Sequence, residues 1–238
     1  MPHRTAPHHT TDTFADLDAQ GLNLHAVFSL LDLPADIVCA LPPDATRHYQ
    51  QLLLIGNRGG LMWHQIQLAG MADPDPIDRF THTQVTAWLA RQHPGKRYQW
   101  VYPGPTALGL QRLGALAGWH HPSPFMVGID SQWGSWFAYR AVVLADTTLA
   151  PTPRRTGTPP CDACASRVCI SACPAGALRD GLDLSACLAY RRSPDSACQD
   201  RCVARNTCPV GAEHRYSDAQ IRYHYGRSMQ VIRHMPAD

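Results

Sequence analysis

Eight of the nine cysteines in this chain fall within 48 residues, as Cys161, Cys164, Cys169, Cys173, Cys187, Cys198, Cys202 and Cys208. No other feature limits the fold as strongly, because such a segment must fold around whatever its thiols bind. The ninth, Cys39, stands alone in DIVCALPP and is expected to be a small buried side chain. PTPRRTGTPP, residues 151–160, is a proline-rich connector that sets the segment apart. The expected organisation is a polar leader over 1–18, a core built from 19–150 and 213–238, the linker 151–160, and a cysteine module over 161–212.

Three chemistries use so many cysteines. A disulfide framework suits a small secreted domain. The opening MPHRTAPHHTTDTFADLD has no apolar h-region of a signal peptide. Structural zinc comes as two close Cys pairs per ion. The third possibility is iron–sulfur, and the spacing favours it. CDACASRVCISACP reads C-x2-C-x4-C-x3-C-P, near the bacterial ferredoxin run C-x2-C-x2-C-x3-C-P, and Cys208-Pro209 closes the segment with a second Cys-Pro. A cubane needs thiolates at four corners, so a tight loop gives three and the Cys before Pro crosses to the other cluster. That logic assigns Cys161, Cys164, Cys169 and Cys208 to one 4Fe–4S cluster, and Cys173, Cys187, Cys198 and Cys202 to a second. Two spacings depart from the simple pattern: the x4 gap before Cys169, and the stretched C-x3-C-x5-C-P, which needs Cys187 to complete its set.

With 21 basic and 19 acidic side chains the net charge is +2, which implies no field strong enough for nucleic acid or membrane binding. No apolar run reaches 18 residues, so no transmembrane helix is expected, and the expected compartment is the cytoplasm. The leader histidines His3, His8 and His9 read as part of a flexible tail rather than a metal site. His64, His82, His120 and His121 read as surface or satisfied core histidines.

Outside the cysteines, both kinds of element alternate, which implies an α+β core of sheet and covering helices. Gln51–Ile55 reads as a strand, Gly56–Gly60 as a loop and Leu61–Leu68 as a helix. That loop is the nearest thing to a phosphate cradle, but alone it reads as a turn. DPIDRFTHTQVTAWLARQ has Asp75 as N-cap and Pro76 at the first helical position, with Ile77, Phe80, Val85, Trp88 and Leu89 on one face. RYQWVY is a strand, and TALGLQRLGALAG a helix capped by Thr106 and stopped near Gly118. FMVGI and SWFAYRAVVL read as a hairpin turning near Gly134. Ser217 and Gln220 form a capping box that opens a last helix with Ile221, Tyr225 and Ile232 on one side.

With these elements in place, the chain resembles the CblC family of cobalamin-processing proteins. MVGIDSQWGSWFAYRAVVLA (126–145) is similar to that family's Gly-Trp-Phe-Ala-x-Arg hairpin. DPIDRFTHTQVTAWLAR (75–91) resembles its Asp-Pro-Val-Asp helix, and RYSDAQIRYHYGRSMQVI (215–232) its Arg-Tyr-Ser-x-x-Gln helix. LLLIGNRGGLMWHQI and LGLQRLGALAGW fit in order. The cysteine segment falls between these matches as an insertion. It resembles the ferredoxin module of epoxyqueuosine reductases and corrinoid reductive dehalogenases, where a Cys-x-x-Tyr element, here Cys187-Leu-Ala-Tyr190, lies between two Cys-Pro runs.

The resemblance implies a nitroreductase/CblC-like sheet-and-helix core with an inserted ferredoxin-like module. It further implies a base-off cobalamin or related corrinoid, with Arg140 carried over from the Phe-Ala-x-Arg motif and Trp133, Trp136 and Phe137 as wall residues. The expected protein is a corrinoid-binding reductase or trafficking protein. It would be fed by a soluble donor such as flavodoxin, ferredoxin or a reductase. Three rivals stay open: a plain ferredoxin-like carrier, a flavin nitroreductase using Arg58 or Arg140, and an epoxyqueuosine-type reductase. The last lacks a match to that family's acidic proton donor and C-terminal region, so a tRNA partner is not expected.

Overall fold

The computed structural model describes residues 13–235, so the leader histidines lie outside the described residues. By contacts the chain divides into two units. Unit 1 comprises residues up to 57, 64–108 and 139–152; unit 2 comprises 58–63, 109–138 and the chain from 153 onward.

Unit 1 is built on a four-stranded sheet of order β1-β2-β4-β3, with β1 at Leu24–Ser29, β2 at Gln51–Arg58, β3 at Tyr98–Tyr102 and β4 at Phe137–Ala145. β1 pairs antiparallel with β2, and β3 antiparallel with β4. β2 lies inside the sheet, and its unbroken run Leu52–Ile55 is buried throughout, as expected of a strand covered on both faces. β4 matches it, with Ala141–Ala145 fully buried. Helices α1 (Ala15–Ala19), α2 (Ala35–Val38), α3 (Ala45–His48), α4 (Leu61–Ala69) and α5 (Pro76–Gln92), with a 3-10 turn at Leu30–Asp32, complete the elements up to β3, although the first residues of α4 count with unit 2. α5 begins as expected, with Asp75 at its N-cap and Pro76 next, and buries Phe80, Val85, Trp88 and Leu89.

Polar groups in this unit are tied by specific bonds. Buried Gln51 accepts from Thr147 Oγ1 at 2.8 Å and from Leu149 N at 3.0 Å, and donates to Leu149 O at 2.7 Å. Thr152 and Val27 exchange two bonds of 2.9 and 3.0 Å, which pins the start of the proline-rich connector to the edge strand. Trp88 Nε1 donates to Thr13 O at 2.7 Å, and Phe14 stacks on His25 at 4.2 Å.

Unit 2 holds helices α6 (Leu110–Ala117), α7 (Val168–Ser171), α8 (Leu184–Arg192), α9 (Val203–Thr207) and α10 (Asp218–His234). α7 packs on α9, and α10 on α8. Gly118 ends α6 in the left-handed region, as expected, where an added Cβ would strike the Arg155 carbonyl. Ser217 caps α10 by accepting from Gln220 N at 3.2 Å, and Ile221, Met229 and Ile232 are buried. Trp136, Tyr216 and Ile221 form one buried cluster, with half-buried Tyr225 against it.

Several expectations need correction. The hairpin does not form: FMVGI makes only an isolated bridge, Ile129 to His121, while the SWFAYRAVVL strand pairs within the four-stranded sheet. Met126 takes φ +59, and the Asp130 carboxylate accepts from Gln132 N and Trp133 N, so the segment turns where a strand would have to run on. α6 starts after Gly109 rather than Thr106. β2 extends through Arg58, shortening the expected loop. Cys39 is exposed at the end of α2, not buried. Residues 15–18, placed in the leader, belong to α1, whose Leu17 is buried.

Candidate iron–sulfur centres

The short helices set the thiols. α7 carries Cys169, with Cys173 just beyond it and Pro174 turning the chain away. α8 carries Cys187 and is capped by Asp183, which accepts from Ala186 N at 2.9 Å. α9 runs between Cys202 at its N-cap and Cys208 at its C-cap. None of the nine cysteines is disulfide-bonded; Cys169, Cys198 and Cys208 are buried and the other five of the segment are half-buried.

The electrostatics sort these thiols into two sets of four. Burial pushes the Cys161 thiol up, and the neighbouring Cys208, Cys169 and Cys164 push it further, with Asp162 adding to them. Burial raises Cys169 too, followed by Cys208 and Cys164. In the other set burial raises Cys187, then Cys202, Cys173 and Cys198, with Arg191 opposing. Burial likewise raises Cys198, with Cys202 and Cys173 adding to it. Cys164 is held below the ordinary thiol value, first by its hydrogen bond with Ser166 Oγ at 3.7 Å and then by the Arg167 backbone N–H.

Cys173, Cys187, Cys198 and Cys202 all line one cavity of about 430 Å³, within the range of about 300–1,000 Å³ usual for small-ligand sites. Phe125, Leu178, Leu182 and Leu184 give it an apolar wall, and Arg191, Arg201 and Arg205 also reach it. Among the described residues, no group of three or more His, Cys, Asp or Glu side chains is arranged to hold a single metal ion. A mononuclear zinc site draws its donors to within about 2.0–2.3 Å of one point. In a cubane each thiolate binds a different iron, and the four thiols lining this cavity are the number of donors that group takes.

Arg140 lies in unit 1, where its Nε donates to the Oδ1 of buried Asn57 at 2.6 Å. Trp133, Trp136 and Phe137 lie in unit 2, all buried. The Arg155 and Arg58 guanidinium groups lie 4.1 and 5.2 Å from the centre of the Trp133 ring, which meets Phe137 edge-on. Its Nε1 is buried without a hydrogen-bond partner. Trp136 is fully buried in the cluster with Tyr216. His82 stacks on Trp100 at 4.6 Å, as an ordinary packed histidine would.

Sequence reasoning misses the arginines of the cavity. Arg191 stands four residues after Cys187 on α8, a spacing that puts two side chains on one helix face. Arg205 stands inside α9 between Cys202 and Cys208.

No protein-family model matches the chain, and no curated protein matches it. Solved structures do. The epoxyqueuosine reductase from Bacillus subtilis aligns at a TM-score of 0.50 and 12% identity, over 87% of this chain and 66% of its own. An epoxyqueuosine reductase with an epoxyqueuosine-modified tRNA-Tyr stem loop aligns at 0.55 and 11%, over 89% of this chain and 68% of its own. A C. elegans B12-trafficking protein, CblC, aligns at 0.48 and 15%, over 94% and 95%. At that score the last match says nothing further about this chain. The chain spans about two thirds of the length of the two reductases, and no helix among its described residues is long and apolar enough to cross a membrane. With its mixed α/β architecture and antiparallel pairings, this chain is similar in fold to the aligned two thirds of the two epoxyqueuosine reductases.

Proposed function

We propose that the chain is an iron–sulfur reductase of a corrinoid. Cys161, Cys164, Cys169 and Cys208 hold one 4Fe–4S cluster, and Cys173, Cys187, Cys198 and Cys202 hold another. The observation that carries the reading is the convergence of the second four thiols on one apolar-walled cavity. When bound, the clusters would supply one-electron transfer to the cobalt of a cobalamin or related corrinoid. The chain's own part is to hold and shield. Pro174 and Pro209 turn the backbone after Cys173 and Cys208, so that each closing thiol can face the opposite set. The side chains of Phe125, Leu178 and Leu182 keep water from the second set, and solvent exposure is one of the factors that sets a cluster's potential.

For the corrinoid, the buried and unpartnered Trp133 Nε1 is a donor that suits an amide carbonyl of the ring's periphery. Trp136 and Phe137, buried in the core, back that wall, and Arg140 braces the sheet through Asn57. A soluble donor such as flavodoxin, ferredoxin or a reductase supplies the electrons. The test is spectroscopic. Cobalamin mixed with anaerobic protein should shift to the base-off absorption, and reduced flavodoxin should then reduce its cobalt. A Cys173→Ser variant that still binds cobalamin should be much slower. An unchanged cobalamin spectrum at saturating protein would rule the reading out.

The fold likeness favours one second reading, that the group finally reduced is epoxyqueuosine in a tRNA. Conversion of an epoxyqueuosine-modified stem loop by the loaded protein would establish it. No conversion under conditions that reduce cobalamin would leave the corrinoid itself as the object of reduction.

A further inference from the structure

Arg205 and Arg191 carry charge that no carboxylate among the described residues balances. Arg205 is 8% exposed, donates from Nε to Ser135 Oγ at 3.0 Å, and also donates to the Ser135 carbonyl. Its guanidinium lies 4.5 Å from the Trp136 ring and 5.6 Å from that of Tyr216. Arg191 is half-buried; it donates to Cys198 O and to Ser228 Oγ, both at 3.1 Å, and lies 5.3 Å from the Tyr225 ring. The third arginine of the cavity, Arg201, is neutralised by Asp200 at 2.9 Å.

Burying a guanidinium with only neutral acceptors is costly, and buried charges are ordinarily paired with an opposite charge. Both arginines line the cavity that holds Cys173, Cys187, Cys198 and Cys202. Four thiolates around an iron–sulfur core make a net anion, and it becomes one charge more negative when it takes an electron. A fixed cation beside it therefore favours the reduced form, most strongly where water is excluded. The first set is placed differently: Asp162 follows Cys161, and Arg167, which acts on Cys164, is exposed, where water and salt screen it; Arg205 meets Cys208 through its backbone carbonyl, while its guanidinium is turned to Ser135 and Trp136.

We infer that Arg205 and Arg191 are the counter-charges of the cluster held by Cys173, Cys187, Cys198 and Cys202, and that they raise its reduction potential above that of the other cluster. The inference rests on the two-cluster reading and adds a direction to it: an electron entering the chain settles at the second set.

The test is a potentiometric titration of the anaerobically reconstituted full chain, followed by electron paramagnetic resonance and absorbance. The wild type should show two one-electron steps. Arg205→Gln and Arg191→Gln should each move the higher step down and leave the lower where it was, narrowing the gap. Arg205→Lys should keep the wild-type step, because it keeps the charge. If neither step moves, if the lower one moves, or if Arg205→Lys behaves like Arg205→Gln, the inference is overturned. Should Arg205→Gln fail to fold, Arg191→Gln decides, since its half-buried side chain can be exchanged with less disturbance. A wild type without iron and sulfide would instead overturn the two-cluster reading itself.

Discussion

Gly134 and Gly211 meet backbone to backbone in unit 2. Both take left-handed φ, +58 and +62; a Cβ on Gly134 would strike the Val210 carbonyl, and one on Gly211 the Trp133 backbone. The contact locks the turn at Asp130–Gly134 to the chain just past Cys208-Pro209. Gly134→Ala should therefore destabilise unit 2 by about 2 kcal/mol or more, since strain and clash add. Gly226→Ala, a helical position with nothing within 4 Å, should be neutral or stabilise by about 0.5–1 kcal/mol. Urea unfolding of the two variants checks the contrast.

Arg140 Nε and Asn57 Oδ1 make a second testable pair at 2.6 Å, joining β4 to β2 in unit 1. Removing the charged donor with Arg140→Ala should cost about 1.5–3 kcal/mol of stability. Arg140→Lys should recover only part of it, because lysine lacks the guanidinium fork. If Arg140→Ala leaves stability unchanged but weakens cobalamin binding, the residue serves the ligand and not the sheet.

His25 gives a pH dependence of known sign. Burial holds its pKa below 6.5, against Asp18 and the Leu22 carbonyl, which act to raise it. The unfolded chain thus takes up the proton first as pH falls. The stability this residue contributes is present above about pH 6.5 and is lost as pH falls through the lower folded value. Comparing unfolding of the wild type and His25→Gln between about pH 7.5 and 5 should show a shallower acid loss in the variant. A steeper loss would mean the histidine is charged in the fold.

Much of this architecture is legible in the sequence, for identifiable reasons. β2 shows itself by four consecutive apolar residues at 52–55, and α5 by Asp75-Pro76 and its apolar face. The false hairpin comes from reading Phe125–Ile129 as strand material, when positive φ at Met126 and the Asp130 turn decide the backbone there. β1, Leu24–Ser29, gives little signal because its burial alternates irregularly and its pairing to β2 is non-local. In the site, cysteine spacing points to the thiols. Arg191 and Arg205 are invisible because isolated arginines read as solvated, and only the fold reveals that Arg205 is buried beneath Trp136 and Tyr216.

The variants of the two thiol sets should separate cleanly. Cys164→Ser and Cys187→Ser should each lose about half of the iron and sulfide, because two sites of four cysteines give each cluster its own ligands. Electron paramagnetic resonance of the reduced variants should then show a different remaining signal in each. Loss of all iron in both would mean one shared centre.

The most direct test of the account is the metal content of the wild-type chain, purified or reconstituted without oxygen. Two 4Fe–4S clusters predict about eight irons and eight acid-labile sulfides per chain. Zinc without sulfide would contradict it.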